Sequence, residues 1–187
     1  MHRAGRHLMA RVFLGVGANL NPEQNIVNGI RRLADDVAIA SISPAYLSPA
    51  VGFDGPDFIN LVVQITTDAS VAELNQLLKL IETEFGRTPD AVKYSSRALD
   101  IDILLYDDLS GDIDGIQLPR TDVQRFAFVL RPLLDLWPDA ECPATGQTLR
   151  EFWPAVADQP LKETEISALE ALKPALLSST VAGVQRV

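Results

Sequence analysis

The stretch Arg97-Ala98-Leu99-Asp100-Ile101-Asp102-Ile103-Leu104-Leu105-Tyr106 alternates apolar and acidic residues from Leu99 to Ile103. An extended backbone sends Leu99, Ile101 and Ile103 to one face and both aspartates to the other. Two carboxylates about 7 Å apart on one strand face repel, and burial worsens the repulsion. A hard divalent cation answers it best, because Mg²⁺ is usually held by one or two carboxylates while waters and substrate phosphates complete its shell. An exposed edge strand whose aspartates merely face water has the same spacing, so the D-x-D pattern alone leaves both readings open.

Upstream of this strand, Ser70 to Phe85 reads as a helix. Ser70 is its N-cap, Glu73 holds the capping-box position, Leu74, Leu77, Leu78 and Ile81 form its apolar stripe, and Gly86 stops it. A loop from Arg87 to Ser96 joins the helix to the aspartate strand. Phe58 to Thr67 is a strand with Phe58, Asn60 and Val62 on one face; an amide among apolar neighbours needs partners, from backbone or from a ligand's polar edge. Between it and a strand over Val37 to Ser43 lies a long loop, Tyr46 to Pro56, rich in turn residues of the kind that carry binding groups. Val12 to Val16 is the first strand, and Asn21 caps a helix that starts at Pro22 and runs to about Asp36 with Ile26, Ile30 and Leu33 at helical spacing.

The order strand, helix, strand, strand, helix, strand predicts an α+β fold with a ferredoxin-like βαββαβ core, an antiparallel sheet with helices packed on it. Additions follow at the C-terminal side. Asp107 to Asp112 is an acidic loop, Ile116 to Leu118 a short strand, and Pro119 to Phe128 a short helical segment. Val129 to Leu136 and Thr148 to Trp153 are packing elements. Beyond Pro154 the periodicity weakens, so the last thirty or so residues read as a tail or a loosely docked helix.

With 187 residues, 47% hydrophobic and 22% charged, the chain has the make-up and length of one well-buried domain. Lys+Arg 16 against Asp+Glu 25 gives −9, which argues against a broad nucleic-acid or anionic-membrane surface. No apolar run reaches a membrane span, and the single Cys142 excludes a disulfide framework. The cytoplasm is the expected compartment. Both histidines, His2 and His7, lie in a basic opening segment that lacks a secretory core, with Met9 an alternative start. The body of the chain therefore holds no histidine for a Ser/His or Cys/His mechanism.

Six blocks in register resemble one family. They are Gly17-Ala18-Asn19-Leu20 after the first strand, Ser48-Pro49 with Gly52, Asp57-Phe58-Ile59-Asn60, Glu82 with Gly86-Arg87, the aspartate strand, and Ala127-Phe128-Val129-Leu130. In order and spacing, from roughly Arg11 to Trp153, they are similar to the 6-hydroxymethyl-7,8-dihydropterin pyrophosphokinases of folate synthesis. The chain then divides into residues 1–9 as an N-terminal extension, 10–155 as a pyrophosphokinase-like domain and 156–187 as the tail.

The resemblance implies transfer of diphosphate from ATP to the hydroxymethyl group of a reduced pterin, with release of AMP. By position, Asp100 and Asp102 would hold two Mg²⁺ ions that bridge the ATP phosphates. Phe58 and Phe128 would sandwich the pterin, Asn60 would bond its polar edge, and the Ser48, Val51 and Gly52 loop would offer backbone groups. Arg87 and Arg97 would grip phosphates and act in catalysis, and Lys93, Ile103, Arg120 and Arg125 would complete the nucleotide site. The implied partners are a reduced pterin and ATP, with no nucleic acid and no membrane, acting on a monomer.

Departures from the family cluster on the nucleotide side. Between Arg87 and Arg97 the family usually has further basic residues and a tryptophan, whereas this chain has Pro89, Asp90, Lys93 and Tyr94, with Ser95 at a usual glycine or alanine. Arg120 replaces a histidine and is followed by Thr121; the arginine expected just before Ala127 is Phe126, with Arg125 one place early. Beside a working pyrophosphokinase, this dilution admits a paralogue acting on a related pterin alcohol or another nucleotide, or a pterin-binding module without transferase activity.

Overall fold

The computed structural model of the protein describes residues 9–88 and 95–182. Its leading elements are β1 (Ala10–Ala18), α1 (Pro22–Ala34), β2 (Ala38–Ile42), β3 (Ala45–Ser48), β4 (Phe58–Thr67), α2 (Val71–Glu84) and β5 (Asp100–Tyr106). The central strands lie in the order β5-β1-β4, and β2 and β3 both pair with β4. All of these pairings are antiparallel, which is the ferredoxin-like arrangement with its second strand in two pieces.

The break falls at Pro44, which has no N–H to give to a ladder. Ser43 spans it: its N–H donates to the Val62 carbonyl at 2.9 Å, and its Oγ accepts from the Val62 N–H at 2.9 Å. Strand pairing resumes with Tyr46 opposite Asn60 and Ser48 opposite Phe58. The loop expected over Tyr46 to Pro56 therefore starts only after Ser48, because prolines at both ends of β3 disguise a four-residue strand.

Two apolar layers cover the sheet. On one face Val12, Leu14 and Val16 of β1 and Ile101 and Ile103 of β5 pack under Ile26, Ile30 and Leu33 of α1 and Leu74, Leu78 and Ile81 of α2. The intervening residues point to the other face, where Phe13 and Val62 meet Leu130 and Leu133. Those leucines belong to α4 (Ala127–Leu136), which follows the single turn α3 (Asp122–Arg125). The pattern Leu99-Asp100-Ile101-Asp102-Ile103 divides as its alternation predicts: the three apolar residues are buried and the two aspartates face away from the helices α1 and α2.

The capping box of α2 forms, with Ser70 Oγ accepting from the Glu73 N–H at 3.3 Å and Glu73 Oε2 accepting from the Ser70 N–H at 2.8 Å. Gly86, at φ +89°, ends that helix in a conformation that costs a glycine little. Asn21 behaves otherwise than expected. It stands before Pro22 with φ +41° and makes no side-chain cap; Asn25 Nδ2 instead donates to the Leu20 carbonyl at 2.7 Å.

Within the acidic segment, β6 (Gly111–Ile113) pairs with β7 (Ile116–Leu118) as a hairpin. A 3₁₀ turn spans Leu149–Ala155. The stretch beyond Pro154 carries more structure than its weak periodicity suggests. Strand β8 (Lys162–Thr164) extends the sheet by pairing with β3, and α5 (Ser167–Ala182) lies against β2. Ile166, Leu169 and Leu176 are buried in the core there.

Candidate active site

A cleft of about 640 Å³ opens over β1, β4 and β5. Its floor is bare backbone. Gly15 lies between Val62 and Asp102 in the strand register, and Gly17 between Asn60 and Asp100. A Cβ on Gly17 would stand 2.8 Å from Asn60 Oδ1, and one on Gly15 would stand 3.2 Å from a Leu104 methyl. Side chains at these positions would fill the space, so the two glycines let the amide of β4 and the carboxylates of β5 face one cavity.

One end of the cleft is an amide and aromatic slot. Asn60 Nδ2 donates to Ser48 Oγ at 3.0 Å, which turns the Asn60 side chain by a bond from β3. Phe58, Val51 and Phe128 stand on the walls. Phe58 meets Phe53 edge-on, with centroids 6.3 Å apart, and Phe128 stacks on Phe126 at 5.0 Å and 19°. The Arg125 guanidinium lies 5.6 Å from the Phe126 ring centroid. Gly52, at φ +82°, shapes the loop beside the slot without forming part of its wall.

The other end is ionic. Asp100 Oδ1 accepts from Arg87 Nη1 at 2.8 Å and lies 3.5 Å from Arg97 Nη1. Asp102 has Arg120 Nη2 at 3.3 Å and Lys79 Nζ at 3.9 Å. Burial first, and then the neighbouring Asp100 charge, push the Asp102 carboxyl up to about 6. Behind them stands Glu82, wholly buried on α2. Its carboxylate accepts from the Ile101 N–H at 2.8 Å, from Arg87 Nη1 at 2.5 Å and from Lys79 Nζ at 3.0 Å. Arg87 is thereby bound between Glu82 and Asp100 and is not on the cleft wall, whereas Arg97, Arg120 and Arg125 are.

These donors suit Mg²⁺. Two carboxylates on one strand face, still 31% and 24% exposed, match a cation that keeps waters and takes phosphate oxygens for the rest of its shell. Among the described residues no group of three or more His, Cys, Asp or Glu offers a closed protein cage. Arg97 lines the same cleft, and its buried Nη1, ion-paired with Asp100 at 3.5 Å, makes no hydrogen bond among the described residues. An anionic oxygen would complete it.

Ile103 is buried against the helices and borders the cleft. Lys93 lies outside the described residues, as do Pro89, Asp90 and Tyr94. Three contributors have no role assigned from the sequence. Asn19 accepts from the Arg97 N–H at 2.7 Å and donates to the Pro56 carbonyl at 3.1 Å and to Ser96 Oγ at 3.2 Å, so it ties three loops together. Lys79 and Phe126 also reach the cleft. Lys79 has the spacing of an ordinary solvated helix residue, and only the packing of α2 beside β5 brings it to Asp102.

A sequence profile described as 7,8-dihydro-6-hydroxymethylpterin-pyrophosphokinase (HPPK) matches residues 13–138. The chain is 36% identical over 150 residues to the 2-amino-4-hydroxy-6-hydroxymethyldihydropteridine pyrophosphokinase of Pseudomonas aeruginosa, covering 78% of this chain and 91% of that protein. It is 34% identical over 148 residues to the protein of the same name from Aquifex aeolicus, covering 78% and 92%. The wild-type HPPK-DHPS crystal structure from Plasmodium falciparum shares the fold, with a TM-score of 0.62 at 12% identity over 79% of this chain; the chain spans 45% of that longer protein. No helix among the described residues is long and apolar enough to cross a membrane.

Proposed function

The chain belongs to the 7,8-dihydro-6-hydroxymethylpterin pyrophosphokinase family, transferases of folate biosynthesis, and on that premise we propose that it uses ATP and Mg²⁺ to pyrophosphorylate 6-hydroxymethyl-7,8-dihydropterin. One observation carries the reading: the carboxylate pair Asp100 and Asp102 shares a single cleft with the Asn60, Phe58 and Phe128 slot. A flat polar heterocycle fits the slot, and a polyphosphate with its cations fits the ionic end.

In this reaction the hydroxymethyl oxygen bonds to the β-phosphorus of ATP while the bond from that phosphorus to the α,β-bridging oxygen breaks. AMP leaves with the bridging oxygen, and the hydroxyl proton passes to a phosphate oxygen or to solvent. Two Mg²⁺ ions at Asp100 and Asp102 would supply neutralisation of phosphate charge as it shifts toward the leaving AMP. Arg97, on the cleft wall, would grip the phosphates, and Arg87 fixes Asp100 while adding positive charge. Arg120, Arg125 and Ile103 border the nucleotide, with Lys93 assigned there from sequence. Ser48 orients Asn60 against the pterin edge, Phe58 and Phe128 take its faces, and the loop through Val51 and Gly52 offers backbone groups beside the slot. Phosphoryl transfer relies on positioning and charge, which agrees with a body free of histidine. The cytoplasm is the compartment in keeping with an ATP-dependent reaction, and one copy of the chain supplies every residue named.

Incubation with MgATP and the reduced hydroxymethyl pterin should release AMP in step with pterin diphosphate. AMP formed only with a different pterin alcohol or nucleotide would instead favour the paralogue. Pterin binding with no AMP from any donor would leave a binding module.

A further inference from the structure

On α2, Asn75 and Lys79 stand one turn apart and both line the cleft. The Lys79 ammonium lies 3.0 Å from each oxygen of Glu82, which occupies two of its three donors. Asp102 Oδ1, at 3.9 Å, is too far for a hydrogen bond and attracts it by charge alone. The side chain remains 42% exposed, on the wall of the cleft.

Neutralising Glu82 does not account for this lysine. Glu82 already accepts from Arg87 at 2.5 Å and from the Ile101 N–H at 2.8 Å, a charged and a backbone donor on a single buried carboxylate. What Glu82 does for Lys79 is hold a long, flexible side chain at one place beside Asp102. A divalent cation on Asp102 would cancel the attraction across that 3.9 Å gap. The third donor then faces the cleft, where an anionic oxygen is its natural acceptor.

We propose that Lys79 is a phosphate ligand of the bound nucleotide, held in position by Glu82 and contributing part of the positive charge on the polyphosphate side. This rests on the pyrophosphokinase reading of the cleft. It adds a helix-borne contact from outside the segment between Arg87 and Arg97.

The test is binding of α,β-methylene-ATP with Mg²⁺, an analogue that cannot transfer its diphosphate, measured calorimetrically on the full chain beside AMP and the reduced pterin. Lys79→Gln should weaken the analogue by about tenfold or more, the scale of one charge-assisted contact. AMP and pterin should change by less than about twofold on the same scale, and Lys79→Arg should restore most of the loss. A second measurement needs no substitution: the analogue, but not AMP, should protect Lys79 from acetylation when the modified chain is read by mass spectrometry. Unchanged analogue binding in a folded Lys79→Gln protein, equal losses for all three ligands, or no protection would overturn the inference while leaving the family reaction in place. A parent protein that binds pterin but no analogue would overturn both.

Discussion

Arg120 Nη2 stands 3.3 Å from Asp102 Oδ2, so a cation of the chain itself occupies the approach to one of the two carboxylates assigned to Mg²⁺. The same guanidinium is anchored on its other side, with Nε donating to Asp122 Oδ2 at 2.6 Å. In the nucleotide-free protein, Mg²⁺ bound as proposed would have to compete with Arg120 for Asp102. Arg120→Gln should therefore tighten Mg²⁺ alone, by roughly 0.5–1 kcal/mol for a partly exposed pair, and at the same time weaken ATP. Calorimetric titration with each checks the two signs; Mg²⁺ affinity that falls would remove Arg120 from the metal's surroundings.

Asp100→Asn and Asp102→Asn should each lower turnover by at least about a hundredfold, near 3 kcal/mol of transition-state stabilisation. Circular dichroism should show the fold retained. Near-normal AMP release in both variants would dissolve the metal assignment.

The raised Asp102 pKa carries a signed stability effect in metal-free protein. Its folded value of about 6 exceeds the ordinary 3.8, so the folded state holds a proton that the unfolded state gives up. Stability from this group is full below the unfolded value and is lost as pH rises toward and through about 6. Burial is the largest cause of the penalty; of the groups facing it, Asp100 and Glu82 add to it while Arg120 and Lys79 oppose it. Asp102→Asn should then be more stable than the parent at pH 7.5, by roughly 1–3 kcal/mol, with the gap closing by pH 4. Denaturant midpoints across that range decide it, and a gap that widens in acid would reverse the sign argued here.

In the slot, Asn60→Ala and Phe128→Ala should each weaken pterin binding by about 1–2 kcal/mol while leaving nucleotide affinity near the parent value. Gly17→Ala is a sharper probe, because its Cβ would reach within 2.8 Å of Asn60 Oδ1 and push the amide from its place beside Ser48. It should lose pterin affinity in the same way. Unchanged pterin binding in Gly17→Ala and Asn60→Ala would return Asn60 to a purely structural role.

Leu169→Ala tests whether the C-terminal segment belongs to the folding unit. Leu169 is buried with Ile166 and Leu176 in the core. Its truncation should cost about 2–4 kcal/mol, read as a lower denaturant midpoint with the slope unchanged. A cost near zero would make α5 an independent appendage.

The helices α1 and α2 and the strands β1, β4 and β5 are legible in sequence because each is long enough for its period to repeat. Alternation at Leu99 to Ile103 separates core from cleft without any knowledge of the partner strands. The four-residue β3 is hidden between Pro44 and Pro49, and β8 and α5 draw their stability from the edge and face they cover rather than from a strong pattern of their own.

By itself, then, the sequence determined the order of the long strands and helices, which resides in local spacing, and the resemblance of its motifs pointed to the family. Tertiary structure alone decided which charges meet. The pairing of Glu82 with the Ile101 N–H, of Lys79 and Arg120 with Asp102, and of Asn19 with Arg97 joins positions 19, 23, 18 and 78 residues apart. Coulomb forces and hydrogen bonds act over a few ångströms of space whatever the separation along the chain, and only the packing of α2 and the cleft loops around β5 brings those groups within that range.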